Sequence, residues 1–243
     1  MVYDADPDLK ERGDKMDNNM IYILFICIMV PMLLMFPLLA GRSRLLVGFM
    51  MIGIFACLFA AGVNGFIRSH VGFDMYYITT NLTPVTEEII KGLPILYYAF
   101  LFESEKGKLI PLAFAVGVGF AVLENMIILT QNIATVSIVW AVIRGFASGL
   151  MHGICTSFVG YGISFIRTRH KLFVCGTFAL LTLAITYHSI FNTLVQSEYK
   201  YWGFVLPIST YIPLIVFFVV KARKARAIGF PRQEVTDEDT DCR

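Results

Sequence analysis

The amino-acid sequence predicts an all-α fold, a polytopic membrane helix bundle of about seven transmembrane helices with an eighth allowed. Three observations predict it. The chain is 57% hydrophobic and only 16% charged, which leaves too little polar surface to clothe a water-soluble domain of 243 residues. Apolar runs recur at 20–40, 45–67, 84–102, 109–131, 143–166, 172–195 and 203–220, each near the roughly 17–25 residues that cross a bilayer as a helix. Basic residues collect between alternate runs, as they do when every second loop faces the cytoplasm.

Taken in order, residues 1–19 are polar and rich in aspartate, and are expected to form a flexible tail rather than a basic-flanked signal peptide. The first run carries Pro31 and Pro37, which kink or shorten it. The loop after it holds Arg42 and Arg44, and the loop between the third and fourth runs holds Lys106 and Lys108. Arg167, Arg169 and Lys171 follow the fifth run, and Lys221, Arg223, Lys224 and Arg226 follow the seventh. All four groups fall on one side. The N-terminus is therefore expected outside and the C-terminus in the cytoplasm, with 68–83, 132–136 and 196–202 as outer loops. The stretch 137–166 is too long for one simple span, so its start is expected along the interface. The division is thus a tail at 1–19, a bundle at 20–220, and a basic-then-acidic cytoplasmic tail at 221–243.

Several function classes drop out. The five cysteines (Cys27, Cys57, Cys155, Cys175 and Cys242) are scattered, with no C-x-x-C pair, so neither a disulfide framework nor a cysteine metal site is expected. There is no nucleotide-binding glycine loop and no basic-aromatic pattern for nucleic acid. The partners to expect are membrane lipids and a membrane-anchored protein.

The informative residues are ionisable ones inside the spans, which are costly there and usually functional. They are Glu87, Glu88 and Lys91 in the third run, Glu124 beside Asn125 in the fourth, Arg144 and His152 in the fifth, and His188 with Asn192 in the sixth. At 1.5 Å per residue, Glu88, Glu124, His152 and His188 each lie about 21–24 Å from the basic end of their spans. The spans alternate in direction, so this shared depth is not built into the spacing. Lys91 is within helical reach of Glu87 and Glu88, and His188 and Asn192 share a face. Taken alone, a buried Glu–Lys pair or a span histidine is structural, holding helices together. As a set at one depth they are expected to form a reaction centre, with a purely structural cluster as the alternative. Carboxylates with imidazoles suit a catalytic zinc, with Glu88, Glu124, His152 and His188 as candidate ligands. They also suit water activation by a carboxylate without metal. Zinc and no cofactor therefore both stand. Gly117, Gly119, Gly145, Gly149, Gly153, Gly160 and Gly162 read as sites of close helix packing.

At these residues the chain resembles the PrsW family of intramembrane proteases. The resemblance rests on Glu87-Glu88-x-x-Lys91, Phe120-x-x-x-Glu124-Asn125, His152 with the small-residue helix after it, and His188-x-x-x-Asn192, in that order over about half of the chain. The wider superfamily takes in the CAAX prenyl endopeptidases and the Aph-1-type scaffold subunit of gamma-secretase. The resemblance implies an intramembrane endopeptidase in a prokaryotic cell membrane. It would cleave a membrane-anchored protein, such as an anti-sigma factor, near the extracytoplasmic side. It implies catalytic roles for Glu87, Glu88, Glu124, His152, His188 and Asn192, supported by Lys91, Asn125 and Arg144. By likeness to the CAAX enzymes, Glu87 would be the base and His188 with Asn192 the oxyanion donors. The CAAX second motif ends in histidine where this chain has Glu124, which leaves more carboxylate and could favour a metal. The alternatives are a non-catalytic scaffold, or a small transporter with an intramembrane proton relay, for which no inverted repeat is visible.

Overall fold

The computed structural model describes residues 7–134 and 136–228. Seven long helices make up almost all of them: α1 (Pro7–Met35), α2 (Gly41–His70), α3 (Thr83–Leu101), α4 (Lys106–Gln131), α5 (Ile138–Ile163), α6 (His170–Val195) and α7 (Lys200–Ile228). Among the described residues, five segments are long and apolar enough to cross a membrane: Met20–Leu38 and helices α2, α4, α5 and α6. The protein is an integral membrane protein.

Boundaries depart from the sequence expectation in informative ways. α1 begins at Pro7, inside the segment expected to be a flexible tail, and residues 1–6 lie outside the described residues. The helix passes Pro31 and yields only at a short 3-10 turn, Phe36–Leu38, that contains Pro37. The expected outer loop at 68–83 is mostly helical. α2 runs on to His70, Asp74 caps a one-turn helix at Met75–Tyr77 by accepting from the Tyr76 amide at 3.0 Å, and a π-helical turn at Ile78–Leu82 leads into α3. The acidic C-terminal tail from residue 229 lies outside the described residues, and α7 carries the backbone through 221–228.

α4 is the central post. It packs along α2 on one side and α5 on the other, and α5 packs in turn on α6 and α7. α3 inserts among α2, α4, α5 and α6. α1 lies against α2 and α4. Glycines make these approaches close. A Cβ at Gly53 would strike the Val116 carbonyl, one at Gly119 the Met50 carbonyl, and one at Gly117 the His152 carbonyl. Backbone therefore meets backbone at the α2–α4 and α4–α5 seams, as small residues allow in membrane bundles.

Two apolar clusters fill the interior. One joins Ile95, Leu112, Val116, Met151, Val159 and Phe191 on α3 to α6. The other joins Ile54, Cys57 and Ala60 to Phe120 and Leu123, with side chains of α1 packed against it. At the basic end, Arg167 donates to the carbonyls of Phe100 at 2.7 Å and Phe102 at 3.1 Å. It thereby satisfies carbonyls left open where α3 ends.

Candidate active site

Between the two apolar clusters lies a knot of ionisable side chains. Glu88, Lys91, His152 and His188 have no solvent exposure, and Glu87 is 5% exposed. Unpaired, each would cost several kcal/mol in such a place. They are paired with one another. Lys91 Nζ donates to Glu88 Oε1 at 2.6 Å and to His152 Nδ1 at 2.7 Å, and it lies 4.6 Å from the centre of the Phe120 ring. An ammonium only donates, so His152 Nδ1 accepts and the ring proton sits on Nε2. That Nε2 donates to Glu124 Oε2 at 3.0 Å, and Ser148 Oγ donates to the same oxygen at 3.2 Å.

His188 stands edge-on to His152, with ring centroids 4.8 Å apart. Its Nδ1 donates to Glu88 Oε1 at 2.8 Å. That bond assigns the tautomer and leaves a lone pair on Nε2, which lies 3.8 Å from Glu87 Oε2. Both atoms are buried with no hydrogen-bond partner, and so is Glu88 Oε2. Glu87 is steadied from α2. Asn64 Nδ2 donates to its Oε1 at 3.5 Å, and Thr86 Oγ1 donates to Asn64 Oδ1 at 2.5 Å. Glu124 is the most open member of the cluster, its side chain 20% exposed.

The structure thus gathers Glu87, Glu88, Lys91, Glu124, His152 and His188 into one site. It places the other three expected residues elsewhere. Asn192 Nδ2 donates to the Thr79 carbonyl in the π-helical turn at 3.1 Å, so its amide is already engaged. Asn125 is buried with its carbonyl oxygen unpartnered, and no hydrogen bond joins it to the cluster. Arg144 lies one helical turn beyond Ser148 on α5, in the wall of a neighbouring cavity and within electrostatic reach of Glu124. Sequence reading missed Asn64 and Ser148. Asn64 is a polar residue in an apolar run, a signal that was there to be found. Ser148 stands four residues before His152, on the same helical face.

The donor set has the chemistry of a zinc site, in which a carboxylate joins two imidazoles. Glu87, His152 and His188 each offer a ligand atom, all within 4.8 Å of one another. His188 Nε2 and Glu87 Oε2 are free lone-pair bearers facing each other, and Glu88 orients His188 from behind as carboxylates orient metal-binding histidines. The residues fit the ion. This grouping shares His152 and His188 with the candidate ligands expected from the sequence and adds Glu87, while Glu88 Oε2 is likewise unpartnered. Glu88 Oε1 is held by Lys91 and His188, and Glu124 Oε2 by His152 and Ser148.

A family profile described as PrsW family intramembrane metalloprotease matches residues 41–222, from the start of α2 into the last turns of α7. No curated protein and no solved structure matches the chain.

Proposed function

The chain belongs to the PrsW family of intramembrane metalloproteases, and from that premise we propose how its buried cluster hydrolyses a peptide bond. The observation that carries the reading is the pair of unpartnered atoms, His188 Nε2 and Glu87 Oε2, 3.8 Å apart at the centre of the bundle. Two buried lone pairs facing each other with no donor between them repel, and the arrangement is stable once a cation or a water proton comes between them. Glu87, His188 and His152 would hold a zinc ion, which when bound supplies Lewis acidity to a water or a substrate carbonyl. His152 would give up its bond from Lys91 to take part. Glu124, the most exposed carboxylate of the cluster, is then the group able to take the proton of the attacking water. Glu88 and Lys91 position: Glu88 fixes the His188 tautomer, and Lys91 balances its charge. In a metal-free route Glu87 itself would be the base, and the oxyanion donors expected from Asn192 would first have to leave Thr79.

We further propose seven spans. α3 carries Glu87, Glu88 and Lys91, yet all three face inward and its outer face shows Ile89, Leu93, Tyr97 and Phe100. α7 shows Val205, Ile212, Ile215 and Val216 outward. Spanning helices at both positions put the basic loops in the cytoplasm and the N-terminus outside, with residues 20–220 as the proteolytic bundle of a prokaryotic cell membrane. Glu124 and His188 each lie seven residues, about 10 Å, from the far ends of α4 and α6. That depth supports cleavage of a membrane-anchored substrate near its extracytoplasmic side.

The test is metal analysis of the purified chain, paired with cleavage of co-expressed single-pass membrane reporters. About one zinc per chain is expected, lost in His188→Ala and Glu87→Gln, with cleavage abolished in both while the variants still insert. Full cleavage by both variants would refute the site. A metal-free, chelator-resistant wild type with both variants inactive would instead select Glu87 as the base.

A further inference from the structure

At the end of the bundle opposite the basic loops, a cavity of about 520 Å³ opens between the ends of α4, α5, α6 and α7. Its wall carries Arg144, Lys200, Trp140 and Tyr201, and among the described residues no aspartate or glutamate lines it. Arg144 Nε is buried without a partner, and no hydrogen bond or ion pair joins this guanidinium to a described residue. The Lys200 ammonium rests 5.4 Å from the Trp140 ring centre and 5.7 Å from that of Tyr201. A half-buried guanidinium with an unmet donor is unfavourable until an anion reaches it, and its planar fork matches the oxygens of a phosphate.

The surroundings say what carries that anion. Arg144 stands six residues into α5, about 9 Å below the end of the helix. Trp and Tyr at the opening are the residues that settle where lipid headgroups meet water. Below the cationic mouth a narrow apolar crevice continues between α5, α6 and α7. Ile143, Ala147, Phe191 and Phe204 line it beside Arg144 and Lys200, around a gap of only about 10 Å³, so it is a closed apolar wall and not a channel for an acyl chain. Two cations in an aromatic-edged cavity above an apolar, lipid-level wall form the complement of an anionic headgroup whose acyl chains stay in the surrounding lipid. We propose that this cavity binds a phosphate oxyanion carried by the headgroup of a membrane lipid. The cavity shares no lining residue with the Glu87–His188 cluster, although Arg144 lies within electrostatic reach of Glu124, and the proposal does not rest on how that cluster works.

The experiment is native mass spectrometry of the full chain released from a neutral detergent. It is titrated in separate arms with phosphatidylglycerol, phosphatidylcholine, glycerol phosphate without acyl chains, and a glutamate-rich peptide. Phosphatidylglycerol is expected to bind about tenfold more tightly than phosphatidylcholine. Arg144→Gln and Lys200→Gln should each weaken it by about tenfold. Lys200 is exposed, so its variant reports on binding even if Arg144→Gln misfolds. Glycerol phosphate binding as tightly as the lipid would overturn the lipid assignment. Equal lipid binding by wild type and Lys200→Gln, or binding of the peptide without the lipid, would overturn the proposal as a whole.

Discussion

Lys91 is the residue on which the charge balance of the site turns. It is fully buried, and its three contacts are Glu88, His152 and the face of Phe120. Removing one partner of a buried ion pair leaves an uncompensated charge and costs about 3–5 kcal/mol. Lys91→Met is therefore expected to lower stability by about that amount in a detergent unfolding measurement. The double variant Glu88→Gln/Lys91→Met should recover most of the loss, because the charge that needed Lys91 is gone. A second residue acts through another. Asn64 reaches Glu87 from α2 and makes no other contribution to the cluster than this bond and its link to Thr86. Asn64→Ala is expected to slow single-turnover cleavage by about tenfold, in the range seen when the support of a metal ligand is removed. The same variant should bind zinc more weakly, a readout that a purely structural role would leave unchanged.

At the scale of elements, the α4–α5 seam sets the distance between Glu124 and His152. Gly117 lets the α4 backbone rest against the His152 carbonyl, two turns before Glu124 on the same helix. A larger side chain there meets backbone rather than a movable side chain. Gly117→Val is expected to destabilise the bundle by at least the 1–3 kcal/mol typical of overpacking, or about that much if the helices part. It should also separate His152 from Glu124. The measurements are the thermal midpoint and loss of cleavage together. Gly145, on the same α5 helix, has nothing near a built Cβ and is the control: Gly145→Ala should leave both unchanged. The π-helical turn at Ile78–Leu82 belongs to this scale as well. Its Thr79 supplies a carbonyl to Asn192 and a hydroxyl to Gln196 at 3.0 Å, so it ties the start of α3 to the end of α6.

The whole molecule has two unlike ends. One carries Arg42, Arg44, Lys106, Lys108, Arg167, Arg169 and Lys171 on its loops and adjoining helix turns, partly knitted by the Lys108–Glu103 ion pair and by Arg167 at the end of α3. The other carries Trp140, Tyr201 and the cationic cavity. Reporter fusions after residues 104 and 168 are expected to be active only in the cytoplasm, and fusions after residues 72 and 197 only outside it. The reverse pattern would invert the proposed orientation and move the site to the cytoplasmic half.

The sequence by itself determined the helical membrane architecture, because a chain this apolar must bury its backbone polar groups within helices once lipid is the solvent. It also led to the expectation that Glu87, Glu88, Lys91, Glu124, His152 and His188 lie together, along with Asn192, Asn125 and Arg144, because charges at one depth in four spans have nowhere stable to go except toward each other. Pairing was beyond it. That one oxygen of Glu88 takes both Lys91 and His188, that Glu87 and Glu88 each keep an unpartnered oxygen, and that Asn192 turns to Thr79 follow from helix rotation and from close glycine contacts. The helical period gives each residue a depth and a face, but hydrogen bonds are won or lost over distances smaller than the period resolves. Only the packed structure decides them.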